Sequence, residues 1–391
     1  MNTPPEPASR WQIAREWIGQ GVAAIDTPTL VIDLDAMDRN LARMAAFASE
    51  RGLRLRPHAK MHKSVELARL QIAHGAVGVC VQKTEEALVM AHGGVHDVLI
   101  TNEVLAPPKL RRLAQAVRHL PTRFGLVVDS ALGVERLADA LTDAGVREEH
   151  KVDVYVEIDV GHGRCGVPPG ETALVLAHRI LSNPVLHFAG LQAYHGSAQH
   201  RRTAAERAQA IGEAAWTAAR ARERLQAGGF SVPLITGAGT GTFVLESSSR
   251  VWGELQAGSY LFMDADYALN EPAPQAPVFE HALFVKSQVM SRSAQHAVCD
   301  AGHKSHAIDS GLPAVWFPGG LRYGNGGDEH GLLRTGGAGT ALPEPGETVW
   351  LVPGHCDPTV NLHDFMVGVR GGLAAGHVER IVSVDARGAV W

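Results

Sequence analysis

The stretch LRLRPHAKMHKS, residues 53–64, reads as a strand that runs out into a turn, and the rest of the chain is read outward from it. Side chains alternate along a strand, so Arg56, His58 and Lys60 face one way. A lysine on the inner face of a closed sheet is desolvated at a cost unless chemistry uses it. His62 and Lys63 follow, and Lys63, at the start of the next helical segment, is expected to be a solvated or substrate-side cation.

On both sides of this stretch short β-rich runs alternate with amphipathic segments, which is the α/β signature. TLVIDLD (29–35) comes first, and AMDRNLARMAAFASERG (36–52) then places apolar residues at helical spacing. Strands are predicted at 53–59, 76–82, 97–102, 123–129, 152–159, 187–194, 233–239 and 255–262. Eight parallel strands close a (β/α)8 TIM-like barrel, which leaves 29–35 surplus. From residue 268 helical periodicity fades, and HALFVKSQVMS (281–291), HAVCDAG (296–302), TVWLVPG (348–354) and FMVGVRGG (365–372) alternate with Gly- and Pro-rich turns. The expected fold class is α/β, a barrel followed by a C-terminal β domain. The expected divisions are an N-terminal segment 1–27, a barrel 28–267 and a β domain 268–391, with strand 29–35 a candidate to join the last.

The chain has 391 residues, 45% hydrophobic and 20% charged, enough for a large core. A net charge of −5 with dispersed Lys and Arg offers neither a nucleic-acid stripe nor a polybasic membrane patch. Cys80, Cys165, Cys299 and Cys356 form no CxxC pair, so a reducing compartment is expected rather than a disulfide framework. The opening MNTPPEPASRWQIAREWIG lacks the apolar centre of a secretory signal. No apolar run approaches the roughly 20 residues that span a bilayer. The expected location is cytoplasmic, with no nucleic-acid or membrane partner.

A barrel places its chemistry where strands end. Lys60 ends the first predicted barrel strand, Gln82 the second, Asn102 the third, Asp129 the fourth, Asp159 the fifth with Arg164 just after, and Tyr194 and His195 the sixth. The seventh ends in Gly237-Ala238-Gly239-Thr240-Gly241-Thr242, whose backbone N–H groups can approach an anion. Alone this is a glycine-rich turn, and it is neither a P-loop nor a dinucleotide fingerprint. Paired with a lysine at another strand end it describes a pyridoxal phosphate site, which needs an amine for a Schiff base and an anchor for its phosphate. Lys60 is the candidate amine, and its ordinary pKa of about 10.4 has to be lowered by burial or by cations such as Arg56 and His58. Far along the chain, GHCDP places His355 and Asp357 two apart, on one side of an extended segment with Cys356 on the other. An imidazole plus a carboxylate, with other positions left to water or substrate, suits Mn²⁺ or Mg²⁺ better than a closed zinc site.

Taken together, DTPTLVIDLDAMDRNLARM, RPHAKMHKS, GVCVQKTEEA, EIDVGHGRCGV, GLQAYHGSAQH, GAGTGT, ELQAGSYLFMDADY, CDAGHKS, DEHG and PGHCDPTVNLHD resemble the D-threonine aldolase and eukaryotic-type D-serine dehydratase family, of alanine-racemase-like fold. The resemblance runs from about residue 26 to the C-terminus. It implies that Lys60 holds the cofactor, that Gly239, Thr240 and Tyr260, with Gly241 and Ser259 beside them, take its phosphate side, and that Gln82, Arg164 and Tyr194 line its ring. It leaves open whether Arg164 or Tyr194 meets the pyridine nitrogen. It implies that His355 and Asp357 bind a divalent metal, Asp being the aldolase residue where the dehydratases carry Cys with zinc. It also implies His200 as the base that deprotonates the 3-hydroxyl of a 3-hydroxy-D-amino acid, with His195 its rival, and glycine and an aldehyde as products. Family members are homodimers with a composite active site, so a homodimer is expected. The alternatives are a 3-hydroxy-D-aspartate aldolase, in which His303, Lys304 or Arg322 would meet a second carboxylate, a D-serine dehydratase, and a non-catalytic pyridoxal phosphate carrier.

Overall fold

The computed structural model describes residues 9–273, 276–337 and 339–391. Its two compact units are not consecutive in sequence. One holds residues 1–40, 261–266 and 279–387, the other 41–260, 267–278 and 388–391. This division differs from the linear one at residues 28 and 268. The first strand, β1 (Thr29–Asp33), pairs inside the first unit, and the chain passes between units more than once.

The second unit is the barrel. Its strands are β2 (Arg54–Leu55), β3 (Val79–Val81), β4 (Asp97–Ile100), β5 (Arg123–Val128), β6 (Val152–Glu157), β7 (Leu186–Ala193), β8 (Ile235–Gly237) and β9 (Glu254–Leu255). All run parallel in the order β2-β9-β8-β7-β6-β5-β4-β3, and a bridge between His58 and Cys80 joins the two ends. There the Cys80 N–H donates to the Pro57 carbonyl at 2.8 Å. The eight predicted strands are all present. Strands buried on both faces read as apolar runs, which is why VDVYVE and FGLVV were legible. The helices between them are capped by their own sequence: Ser130 accepts from Gly133 N–H, and Thr203 with Glu206 makes a capping box for Ala204–Ala227.

The opening stretch departs from its reading. β2 lasts two residues, because Pro57 has no N–H to continue a ladder, and Lys60 lies on a 3-10 turn, Ala59–Met61. Arg56 is no uncompensated cation beside the lysine. Its Nε donates to Glu254 at 3.0 Å and its guanidinium to Asp97 at 2.6 Å, so its field at Lys60 is largely cancelled. Lys63 is not solvated: it is buried, with φ +52°, and its Nζ lies 3.2 Å from Glu86 Oε1. The other Glu86 oxygen accepts from the N–H groups of Gln82 and Lys83, so this ion pair also fixes the backbone of Gln82. Removing one partner of a buried pair leaves an uncompensated charge. Lys63→Met is therefore expected to lower the unfolding free energy by roughly 3–5 kcal/mol, read by urea denaturation, with part of the loss recovered in a Lys63→Met/Glu86→Gln double variant.

The first unit is built on β1, β10 (Leu283–Arg292), β11 (Ala297–Cys299), β12 (Ala314–Phe317), β13 (Leu321–Asn325), β14 (Gly331–Thr335), β15 (Thr348–Val352), β16 (Phe365–Arg370) and β17 (His377–Ser383). The sheet runs β13-β14-β11-β10-β1-β16-β17, with β15 pairing to β10 and β12. β1 is antiparallel to β10 and parallel to β16. The segment GHCDP is not extended throughout: His355 is extended, and a short helix, Cys356–Val360, starts directly after it. Among the described residues no helix is long and apolar enough to cross a membrane.

Candidate active site

In the barrel unit the predicted residues follow the ends of the strands, and hydrogen bonds connect several of them around the rim. Lys60 is half-buried on its turn between Ala59 and Met61, which are fully buried and anchor it. On the same segment His58 Nε2 lies 3.0 Å from Thr101 Oγ1. Gln82 donates to the Thr101 carbonyl at 3.2 Å and accepts from its hydroxyl at 3.3 Å, so Gln82 is held by both chain and side chain.

The glycine loop is shaped by close approach. Ala238 sits at φ +71°, and a Cβ on Gly239 would stand 2.5 Å from Gln199 Oε1. Thr240 Oγ1 accepts from Tyr260 N–H at 3.0 Å, which leaves its own O–H to donate to an anion. Tyr260 is buried, and burial pushes its phenol well up. The phenol oxygen accepts from Gln71 Nε2 at 3.2 Å, and Gln71 Oε1 lies 3.2 Å from His62 Nε2, while His62 Nδ1 accepts from Ser64 N–H. Neither His62, which follows Lys60 in the opening stretch, nor Gln71 has a role in the sequence reading, and only the fold brings them to Tyr260. Ser259, next to Tyr260, is buried. Gly241 departs from its expected role, since its N–H donates to Gln199 Oε1 at 3.0 Å rather than being offered to a ligand. The remaining cradle, with no room at Gly239 and the Thr240 hydroxyl beside it, fits a phosphate group.

Behind the loop Thr242 donates to Glu246 Oε1 at 2.7 Å, and the other oxygen of this fully buried carboxyl has no hydrogen-bond partner among the described residues. Burial raises Glu246 from the ordinary 4.5 to about 7. A raised carboxyl favours the fold below its ordinary value, and that contribution is lost as pH climbs through about 7. Glu246→Gln is expected to remove this dependence. Relative to the parent, its unfolding free energy should gain on the order of 3 kcal/mol between pH 5 and pH 8, measured by denaturation at both.

On the opposite arc Asp159 accepts from the N–H groups of Gly161 and Gly163, at 2.9 and 3.1 Å, and so shapes the loop before Arg164. The Arg164 guanidinium carbon lies 5.8 Å from the Tyr194 ring centre. Below them Glu157 is buried, and desolvation together with the neighbouring Glu103 drives its carboxyl well up. The two histidines differ. His195 is buried, and burial followed by Arg201 lowers its pKa, so the imidazole is neutral near pH 7. His200 ends the same 3-10 turn, Gly196–His200, exposed, with its ring 5.8 Å from that of Tyr267.

In the other unit His355 Nδ1 lies 2.8 Å from Asp264 Oδ2, and His355 Nε2 lies 3.7 Å from Asp357 Oδ1. Asp264 is fully buried and also accepts from Cys356 N–H at 3.1 Å. Engaging Nδ1 fixes the tautomer with a lone pair on Nε2, beside the Asp357 oxygen. Cys356 is buried, burial pushes its thiol up, and Sγ donates to the Met263 carbonyl at 3.3 Å, so it is no soft ligand here. Among the described residues no group of three or more His, Cys, Asp or Glu side chains gathers as a metal cluster. One nitrogen and one oxygen donor, with the rest left to water or substrate, fit a hard divalent ion. Asp264 was missed in the sequence because nothing local in MDADY marks it as the partner of a histidine 91 positions on. Asp264→Asn is expected to weaken Mn²⁺ binding by roughly 10–100-fold, read by metal titration.

A parallel barrel with a lysine turn after its first strand and a glycine loop after its seventh, on one chain with a largely antiparallel β unit, defines an enzyme of the alanine-racemase-like fold. The family model for the alanine racemase N-terminal domain matches residues 32–266, and that for a putative serine dehydratase domain matches 282–369. The chain is 44% identical to a D-threonine aldolase of Arthrobacter, over 95% of each chain. It is 41% identical to a 3-hydroxy-D-aspartate aldolase of Paracoccus denitrificans, over 95% of this chain and 94% of that one. The crystal structure of D-threonine aldolase from Filomicrobium marinum superposes with a TM-score of 0.90 at 47% identity, covering 95% of this chain and 98% of that one. The chain belongs to the D-threonine aldolase and eukaryotic-type D-serine dehydratase family.

Proposed function

We propose that this protein is a carbon–carbon lyase that splits 3-hydroxy-D-amino acids into glycine and an aldehyde, with pyridoxal phosphate at Lys60 and a divalent ion at His355 and Asp357. The observation that carries the reading is the His355–Asp357 pair with its buried Asp264 support, because a carboxylate rather than a thiolate stands at the second position. When bound, pyridoxal phosphate supplies an electron-accepting ring for the pair released at Cα, and the ion supplies charge that favours an ionised 3-hydroxyl. The chain does the rest. Thr240 and Tyr260 anchor the phosphate side, and Gln82, Arg164 and Tyr194 bound the ring. His200, exposed at the end of its turn, removes the proton of the 3-hydroxyl. His195, neutral and buried, is better suited to orienting than to exchanging protons with solvent.

The second carboxylate of 3-hydroxy-D-aspartate has weaker support. His303 Nε2 is 2.9 Å from Asp328 and Lys304 Nζ 2.6 Å from Glu329, so both side chains already face a carboxylate, and Arg322 is an exposed residue of β13. A panel of 3-hydroxy-D-amino acids, with and without Mn²⁺, tests the reading. Glycine release from D-threonine that needs the metal supports it, faster turnover of D-3-hydroxyaspartate shifts the substrate, and pyruvate from D-serine or no turnover at all sinks it. We further propose a homodimer with a composite active site, on the strength of the family, checked by sedimentation. The four unpaired cysteines support a cytoplasmic location.

A further inference from the structure

We propose that Gln199 is a positioning residue whose side-chain amide ties the glycine loop after β8 to the turn carrying His195 and His200, so that filling the loop orders the turn. The inference rests on the cofactor reading above. Gln199 is fully buried. Its Oε1 accepts from Gly241 N–H at 3.0 Å, and its Nε2 donates to Thr242 Oγ1 at 2.7 Å and to the His195 carbonyl at 3.3 Å. The direction of these bonds is forced. Gly241 N–H can only donate, which turns Oε1 toward it and leaves Nε2, a donor only, facing Thr242 Oγ1 and the His195 carbonyl. Gly239 completes the fit, since any side chain there would strike the same amide.

The backbone side of the residue is held as firmly. The Gln199 carbonyl accepts from Asn270 Nδ2 at 2.8 Å, and Asn270 Oδ1 accepts from Arg202 at 2.8 Å. Buried Arg207 donates to the carbonyls of Arg201 and Arg202, at 2.6 and 2.9 Å, and to that of Glu271. The backbone of the turn is thus held from one side, and the side-chain amide of Gln199 ties it to the loop. The ionisable groups around it are Glu246 through Thr242, His195 and His200 on its own turn, Arg202 through Asn270, and Arg207.

Two variants test this: Gln199→Met, of similar volume with no hydrogen bonds, and Gln199→Glu. Each is titrated with pyridoxal phosphate by absorbance, and turnover is then measured at saturation across pH, always relative to the parent. Gln199→Met should raise the half-saturating cofactor concentration about tenfold, the worth of roughly one hydrogen bond, and should also lower kcat at saturation several-fold with substrate KM moved less. In Gln199→Glu the protonated acid keeps two of the three side-chain bonds, its C=O accepting from Gly241 and its O–H donating to Thr242, and loses the one to the His195 carbonyl, whereas the ionised form has nothing to donate. Both readouts should approach the parent at low pH and fall away as pH rises. If Gln199→Met does not fold, this pH signature decides alone. Full kcat at saturation in Gln199→Met, or a Gln199→Glu profile that runs parallel to the parent, overturns the inference by itself. A parent protein that takes up no pyridoxal phosphate overturns the cofactor reading, and this inference with it.

Discussion

Lys60→Ala is expected to give a folded protein that does not develop the yellow colour of lysine-linked pyridoxal phosphate, and whose glycine release falls by at least roughly 10³-fold. The fold should survive because Lys60 is only half-buried, and the turn is anchored by Ala59 and Met61 on either side. On the phosphate side the bond from Tyr260 N–H to Thr240 Oγ1 does not depend on the lysine side chain. Dialysis should therefore still find cofactor bound, more weakly, with its aldehyde unlinked. A variant that keeps both the colour and the turnover would remove Lys60 from the chemistry.

Asp357→Ala is expected to separate the same two readouts the other way: full colour on adding cofactor, with metal-dependent turnover down by roughly 10²–10⁴-fold, the range for losing a group that acts on the reacting proton or charge. Asp357 lies on a short helix after His355 and its side chain is only 16% exposed, so the far-UV circular dichroism and thermal midpoint of the variant are compared with the parent before the two readouts are. His355 stays in place through Asp264, which leaves one protein donor to the ion instead of two. Activity that survives both this substitution and chelation would end the metal role. Colour lost together with turnover would mean that the substitution had damaged the cofactor site instead.

Much of the fold and part of the site could be read without coordinates. The eight barrel strands were legible because parallel strands buried on both faces demand unbroken apolar runs, a local property. Four strands of the β unit, β12, β13, β14 and β17, were not. Most of their positions are exposed or half-buried, as in Ala314–Phe317 and His377–Ser383, so alternation carries little contrast. Of the site residues, Gly241 was recognised by its place in GAGTGT, yet what its N–H does depends on a glutamine 42 positions earlier.

The sequence by itself determined which segments become the barrel strands, and which lysine, glycine loop and His-x-Asp pair stand out, since each follows from neighbours within about ten positions. Tertiary structure alone decided how the charges are answered. Arg56 is neutralised by Glu254, 198 positions away, Lys63 is paired with Glu86, and His355 is oriented by Asp264. The physical reason is that a buried charge or donor must be satisfied by whatever polar group the fold brings within about 3 Å, and no periodicity along the chain records that choice.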